Sequence, residues 1–569
     1  MTSYYPLWVR FILNRRTLYV LAWLLAAGVA VGRIWNGHLA FQDRLPENDP
    51  NRRVDGNDGH KTIDFGGSWM MGRMLMTGHG RELYSRPRLW EVGRNAYPPE
   101  RASPAAPGTD YAELLSIFMG EDDPRWRNVG GSAAGLLGPG NSFQQAAFAI
   151  HLQTAWNADE VKQIGHPTKG IGVGGPLYPP IQAFVMAPFA TGDHPQMAYF
   201  TMQYVQVFFC FVSGWGICRL SQGRIWCPLA STILLLYPGA RGAIDLGQNS
   251  PMTLTMLIWG WVWMARGRPI RGGMIWGLLA YKPVWAISYF FLLLLLRRWR
   301  AALAMAGAGA GLALATLPFV GVHSWMNWLV VGQEATAIYN ADRNWIPLSR
   351  DLLNIPRRMF TDFSLPRDER ATLPLFVASW AAWAAVIEIT LRVFHGRRPG
   401  PIPFVGPLPA FLVLTAWMTT YHFMYYDAML SAFGVFVLLA DPRPFFRPRA
   451  LNQPELIDPL NEAKPQPRSL WLVNSFALTV VVLLVVWETA LQPMRYEITI
   501  VDRGASTDRS SNRLSKKVNE NSTYTVPQMT IGTGDEYPVD TFLIIALWGW
   551  CALTILAAKP PPSDPSHTT

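Results

Sequence analysis

The chain has 569 residues, half of them hydrophobic and 15% charged, with 49 Lys and Arg against 39 Asp and Glu for a formal net charge of +10. The hydrophobic residues fall in blocks of about 15–23, near the ~20 that a helix needs to cross hydrocarbon, which excludes a string of soluble domains. The basic excess is mostly Arg in short loops between these blocks, a positive-inside pattern that excludes a basic nucleic-acid-binding face.

The first block, 17–35, follows Arg10, Arg15 and Arg16. It is too long for a cleaved leader and ends without a clean small-x-small site, so a retained first span is expected. A long polar stretch, 36–176, comes next and carries Asp64 in Ile63-Asp64-Phe65-Gly66-Gly67-Ser68-Trp69. Its 142–155 block places Gln144, Gln145, His151 and Gln153 among apolar residues, as in a helix lying along a membrane surface. The Gly-rich stretches at 130–140 and 170–175 lack a Gly-Lys-Ser/Thr ending and read as loops, not phosphate cradles. Block 177–190 opens Tyr178-Pro179-Pro180 and is short, which fits a re-entrant or tilted piece.

The later blocks are fixed by charge parity. If the Arg clusters at 219–224, 266–271, 297–300, 392–398 and 443–449 share the cytoplasmic side with the N-terminus, the spans must alternate as 17–35, 196–218, 225–240, 251–265, 301–320, 373–391, 404–420, 425–440, 470–491 and 541–558. Segment 272–296 starts and ends beside cytoplasmic Arg and is broken at Lys282-Pro283, so it is a hairpin or two half-helices with Lys282 towards the far side. The expected fold is an all-α polytopic membrane bundle of about 11–13 helices, with a long first outside loop carrying amphipathic helices. Its parts are residues 1–35 (N-terminus and first span), 36–176 (outside loop), 177–440 (transmembrane core), 441–469 (cytoplasmic loop) and 470–569 (last spans, with outside segment 493–540). Cys210, Cys218, Cys227 and Cys551 lie in or beside apolar blocks with no metal-ligand spacing and read as small hydrophobes.

On this topology Asp64, Gln248, Asn249, Lys282, Arg343, His422, Tyr426 and Asp427 all face the outside or a cavity open to it. Ionisable groups at membrane depth tend to mark functional cavities. Each also has a plainer reading. Asp64 suits a helix N-cap, and Lys282-Pro283 a kink with a snorkelling Lys. Gln248-Asn249 suits a turn, His422 an interfacial histidine, and Asp427 a partner for an Arg.

The ordered set Asp64-Phe65, Gly80-Arg81-Glu82-Leu83-Tyr84, Tyr178-Pro179-Pro180, Ala187-Pro188, Gly247-Gln248-Asn249, Arg266-Gly267-Arg268, Gly273, Gly277, Lys282-Pro283, Arg297-Arg298-Trp299-Arg300 and Tyr426-Asp427 resembles glycosyltransferase family 87. The chain departs from the family pattern at Gly66-Gly67-Ser68-Trp69 and in the length of 85–175. The resemblance implies a membrane glycosyltransferase of the C superfamily. It would move a sugar, typically mannose, from a polyprenyl-phosphate carrier to a glycolipid or glycan acceptor on the outer face of a bacterial-type inner membrane, with inversion. It also implies that Asp64 is the catalytic base.

That chemistry is self-consistent. A phosphate-linked sugar carries its own leaving group, so the acceptor hydroxyl needs a base on the opposite face of the sugar. The departing phosphate needs a cation, for which Lys282, His422 and Arg343 are candidates. Gln248, Asn249, Tyr426 and Asp427 suit the sugar hydroxyls, while the carrier tail rests among membrane lipid. No cofactor or metal is required. A secondary transporter built around Lys282 and Asp427, and a non-catalytic partner in a cell-envelope complex, are the alternatives.

Overall fold

The computed structural model describes residues 14–41, 64–84, 92, 177–192, 195–339, 345–362, 370, 372–395, 403–441, 468–491 and 538–557. The expected 142–155 surface helix, the Gly-rich stretches and nearly all of 442–467 and 493–540 lie outside these residues. Among those described the chain is helical, with one isolated bridge between Ser349 and Met424. Four helices are long and apolar enough to cross a membrane: Arg15–His38, Trp299–Leu329, Leu373–His395 and Val539–Ala557. The fold is a helical membrane bundle.

Side-chain register gives the direction of each helix. Tyr19 meets Trp226 and Arg33 meets Leu235, so Arg15–Phe41 and Cys227–Leu236 run parallel. Trp383 and Thr390 meet Thr419 and Thr415, so Leu373–His395 runs against Pro407–Met418. Phe411 and Thr415 meet Trp548, which places Val539–Ala557 alongside them. Contacts of Trp261 with Phe404, of Gly406 with the Val437 carbonyl and of Gly273 with Ala301 gather the clusters at 219–224, 266–271 and 297–300 at one end, the Arg-rich end. There Arg224 donates to the Ala440 carbonyl at 2.6 Å and Arg298 covers the Phe404 ring at 3.9 Å.

The Lys282-Pro283 break is a hairpin. Pro269–Gly277 packs on the start of Trp299–Tyr339 with Gly273 against the Ala301 backbone and Gly277 against Met305 and Ala308. The two helices come this close because Gly273 carries no side chain; a Cβ there would run into the Ala301 backbone. Both start at the Arg-rich end, so Pro283–Leu295 must return between them. Trp276 and Tyr289, almost equidistant from Lys282, meet edge to face at 5.2 Å. Each arm is short of a full crossing, so Lys282 sits at a tip inside the bundle.

Two expected boundaries shift for local reasons. The span foreseen at 225–240 is a helix only over Cys227–Leu236, because Tyr237 precedes Pro238 and is extended. The span foreseen at 301–320 continues beyond Pro318 and bends at Gly321, whose φ of 70° lies in the left-handed region. Block 177–190 forms only the short helix Ile181–Met186 and a 3-10 turn over Ala187–Phe189.

Among the described residues two large packed clusters make up most of the apolar interior. The larger, built around Trp261, Trp276, Tyr289 and Phe433, fills the bundle. The smaller caps the end opposite the Arg clusters, with Phe65, Trp69, Met71 and Met74 packed on Ala183, Met186 and Tyr199. Trp69 donates to the Phe189 carbonyl, and beyond the Gly321 bend Ser324 and Trp328 bind the Arg81 and Leu177 carbonyls. Outward-facing Val20, Leu24, Leu303, Leu314 and Phe376 present the apolar surface expected of a lipid-facing bundle.

Candidate active site at the capped end

The site begins at the turn before the Ser250–Ala265 helix. Gly247 has φ of 63°, and the Phe65 ring lies against its Cα, so this position needs glycine both for conformation and for space. Phe65 follows Asp64, the first residue of the Asp64–Met76 helix. The backbone bearing Asp64 is therefore held beside Gly247-Gln248-Asn249. Tyr178 donates to Gln248 Oε1 at 2.9 Å, and Tyr281 reaches both Thr253 and the Asn249 carbonyl.

Lys282, at the hairpin tip, reaches across the turn. Its Nζ lies 2.7 and 2.8 Å from the two carboxylate oxygens of Asp427, and Ser250 donates to Asp427 Oδ1 at 2.6 Å. Trp417 donates to the Asp427 main-chain carbonyl at 3.3 Å. The Tyr426 ring lies 5.5 Å from Nζ, within cation–π range. The Lys282 and Asp427 side chains are only 7% and 3% exposed, so this is a desolvated pair held from both sides.

His422 belongs to a neighbouring network. Its Nδ1 lies 3.8 Å from Asp351 Oδ2, and Asp351 is also bound by Ser349 and by Asn354, whose Nδ2 is 2.7 Å away. Arg350 anchors this segment twice, through its main-chain N to the Phe423 carbonyl and through Nε to Asp540 at 3.0 Å. Burial pushes the His422 imidazole below its ordinary pKa; Asp351 opposes this and Arg357 adds to it. His422 is therefore neutral at pH 7, a hydrogen-bonding group and not a standing cation.

The sign of the linked stability follows. A folded pKa below the unfolded one leaves stability intact above about 6.5, the unperturbed histidine value, and erodes it as pH falls towards the folded value. Thermal unfolding in detergent is expected to weaken between pH 7 and 5, with a smaller loss in His422→Gln. An identical acid loss in both proteins would contradict this placement.

The structure thus brings Lys282, Asp427, Tyr426, Gln248 and Asn249 together with the helix start that bears Asp64. It places His422 with Asp351 instead, and Arg343 lies outside the described residues. Three participants had little sequence signal. Ser250 and Tyr281 look like ordinary helix residues, and Gln182 is hidden in the apolar run after Tyr178-Pro179-Pro180. Gln182 is fully buried on a helix that packs on both Asp64–Met76 and the Leu278–Tyr281 turn. Among the described residues neither of its amide atoms has a hydrogen-bond partner, nor does Asn249 Oδ1. Buried amides left in this state suit a polar ligand with several hydroxyls. Among the described residues no three His, Cys, Asp or Glu side chains gather as metal ligands.

Fold and site together define a polytopic helical membrane protein with a desolvated polar centre built at one end of the bundle. Residues 177–415 match the model of glycosyltransferase family 87, and the match marks the chain as a membrane glycosyltransferase. The match holds the Gly247 turn, Lys282 and the hairpin, while Asp64, His422, Tyr426 and Asp427 lie beyond its limits. Neither the curated proteins nor the solved structures compared with the chain contain a match.

Proposed function

We propose that the enzyme moves a sugar, mannose by the family resemblance, from a polyprenyl-phosphate carrier to a glycolipid or glycan acceptor, with inversion. The observation that carries this reading is the meeting of the Asp64 helix start with the Gly247–Asn249 turn, next to the Lys282–Asp427 pair. On the positive-inside rule the Arg-rich end is cytoplasmic, so this centre faces the outside of a bacterial-type inner membrane. Asp64 takes the proton from the acceptor hydroxyl as that oxygen attacks the anomeric carbon. The bond to the phosphate breaks on the opposite face, and the phosphate leaves with the carrier.

Lys282 has three N–H donors, and Asp427 engages it through two oxygens. Asp427 thereby aims the ammonium, whose remaining capacity serves the leaving phosphate with help from Arg343. Neutral His422 offers that phosphate a hydrogen bond. Gln248, Asn249, Tyr426 and the Asp427 carboxylate hold sugar hydroxyls, joined by Gln182.

Purified protein in liposomes tests the reading with labelled polyprenyl-phosphate-mannose and a membrane extract as acceptor source. Label is expected to move to an acceptor from the lipid phosphate and not from GDP-mannose. Direct use of GDP-mannose, or sugar uptake into sealed liposomes without turnover, would overturn it; the second result would favour a transporter.

A further inference from the structure

A second polar group lies inside the bundle at the same end, between the first helix and Pro195–Leu220. Arg33, 9% exposed, gives its Nε to the Leu235 carbonyl at 2.9 Å. One turn on, Gly37 lies against the Gln203 side chain with no room for a methyl group. Gln203 is fully buried; its Nε2 is 3.4 Å from the Ile244 carbonyl and its Oε1 has no partner among the described residues. Gln206, three residues along the same helix face, is fully buried with neither amide atom partnered among the described residues. Cys210, a further turn along, lies within electrostatic reach of Arg33, so the 203–206–210 stripe fronts that arginine.

The charges around the stripe come from separate elements. Arg241 pairs with Asp245 at 3.3 Å. Glu488, 7% exposed, sits on the π-helical turn Trp487–Leu491 beyond the family match. It interacts electrostatically with Arg33, Arg241, Arg350 and Asp540. The arginines here are already engaged: Arg241 by Asp245, Arg350 by Asp540 at 3.0 Å, and Arg33 by the Leu235 carbonyl. π-Turns recur at functional sites, and an amide buried without a partner is a cost that a ligand can remove.

We propose that Arg33, Gln203, Gln206, Arg241, Asp245 and Glu488 form the acceptor subsite, which takes an uncharged sugar headgroup carried on an apolar tail. Amides, guanidiniums and carboxylates are two-point hydrogen-bonding groups and match neighbouring ring hydroxyls. Arginines already tied to protein acceptors offer little to a phosphate, which separates this subsite from the donor centre. The Ile244 and Asp245 contacts place it directly behind the Gly247 turn, one short segment from the Asp64 helix start. Val31 and Trp35 on the first helix are exposed, so a tail can stay in lipid beside it while the headgroup enters. The inference rests on the transferase reading, since it names the acceptor side of that reaction.

The test is a binding titration in lipid nanodiscs, using octyl mannoside and octyl glucoside below their micelle-forming concentrations, with dodecyl phosphate as the anionic comparison. Wild type is expected to bind at least one octyl glycoside saturably, and Gln206→Leu and Glu488→Gln to weaken it at least tenfold while leaving dodecyl phosphate binding unchanged. Gln206→Leu removes only unpartnered polar atoms, so its thermal stability is expected to match or exceed wild type. Absence of saturable glycoside binding by wild type, equal glycoside binding in wild type and Gln206→Leu, or an equal loss of dodecyl phosphate binding would each overturn the proposal. Binding is read without turnover, so a failed transfer assay and a failed titration point to different conclusions.

Discussion

Asp427→Ala is expected to destabilise the protein by about 3–5 kcal/mol, the usual cost of leaving the other member of a buried ion pair uncompensated. Lys282 has no water to turn to, at 7% side-chain exposure, and both oxygens that hold it belong to Asp427. The same change leaves the Ser250 hydroxyl without its acceptor and frees the Tyr425–Ser431 turn from the hairpin tip. Lys282→Met removes the charge itself, so it should cost less than Asp427→Ala. The double variant Lys282→Met/Asp427→Leu should recover most of the stability, because a packed apolar pair often equals or betters a buried ionic one. Transfer activity should not recover, since the proposed donor centre has then lost both its cation and its sugar-binding carboxylate. Chemical or thermal unfolding of the four proteins in one detergent checks the order. Equal stability of Asp427→Ala and wild type would mean that the pair does not hold the hairpin.

Asp64→Asn is expected to lower kcat by about 10²–10⁴-fold, the range associated with a positioned acid or base. The substitution separates the two readings of this residue. Asp and Asn cap helix N-termini about equally well, so a purely structural Asp64 would tolerate Asn with little loss. A base would not, because an amide cannot take the acceptor proton. Donor binding and thermal stability should therefore stay near wild type while turnover falls. If turnover persists at the wild-type rate, Asp64 is a cap and the base lies elsewhere on the same face.

Much of the architecture was legible because charge and proline are local signals. The Arg clusters fixed the parity of the spans, and Arg flanks on both sides of Lys282-Pro283 required a hairpin before any contact was known. Direction is harder to mistake than length. The Cys227–Leu236 and Trp299–Tyr339 boundaries moved because Pro238 and Gly321 act on single residues that a hydropathy block averages away.

The site was legible only in part. Every candidate at a turn of the far end could be marked by parity, but partners could not. Lys282 and Asp427 are 145 residues apart, and an arginine was as reasonable a partner for Asp427 as the lysine. His422 looked like a cation, yet its placement beside Asp351 under burial makes it neutral. Gln182, Gln203 and Gln206 carried no motif at all; they stand out only because each has an amide atom buried without a partner among the described residues, which composition cannot reveal.

The most direct measurement is a cryo-electron microscopy structure of the protein in lipid nanodiscs with a non-cleavable polyprenyl-phosphonate-mannose. The account predicts sugar density between the first turn of Asp64–Met76 and the Gly247–Ser250 turn, with the phosphonate towards Lys282. Density at the Arg-rich end, or between the helices at mid-membrane with Asp64 remote from the anomeric carbon, would contradict it.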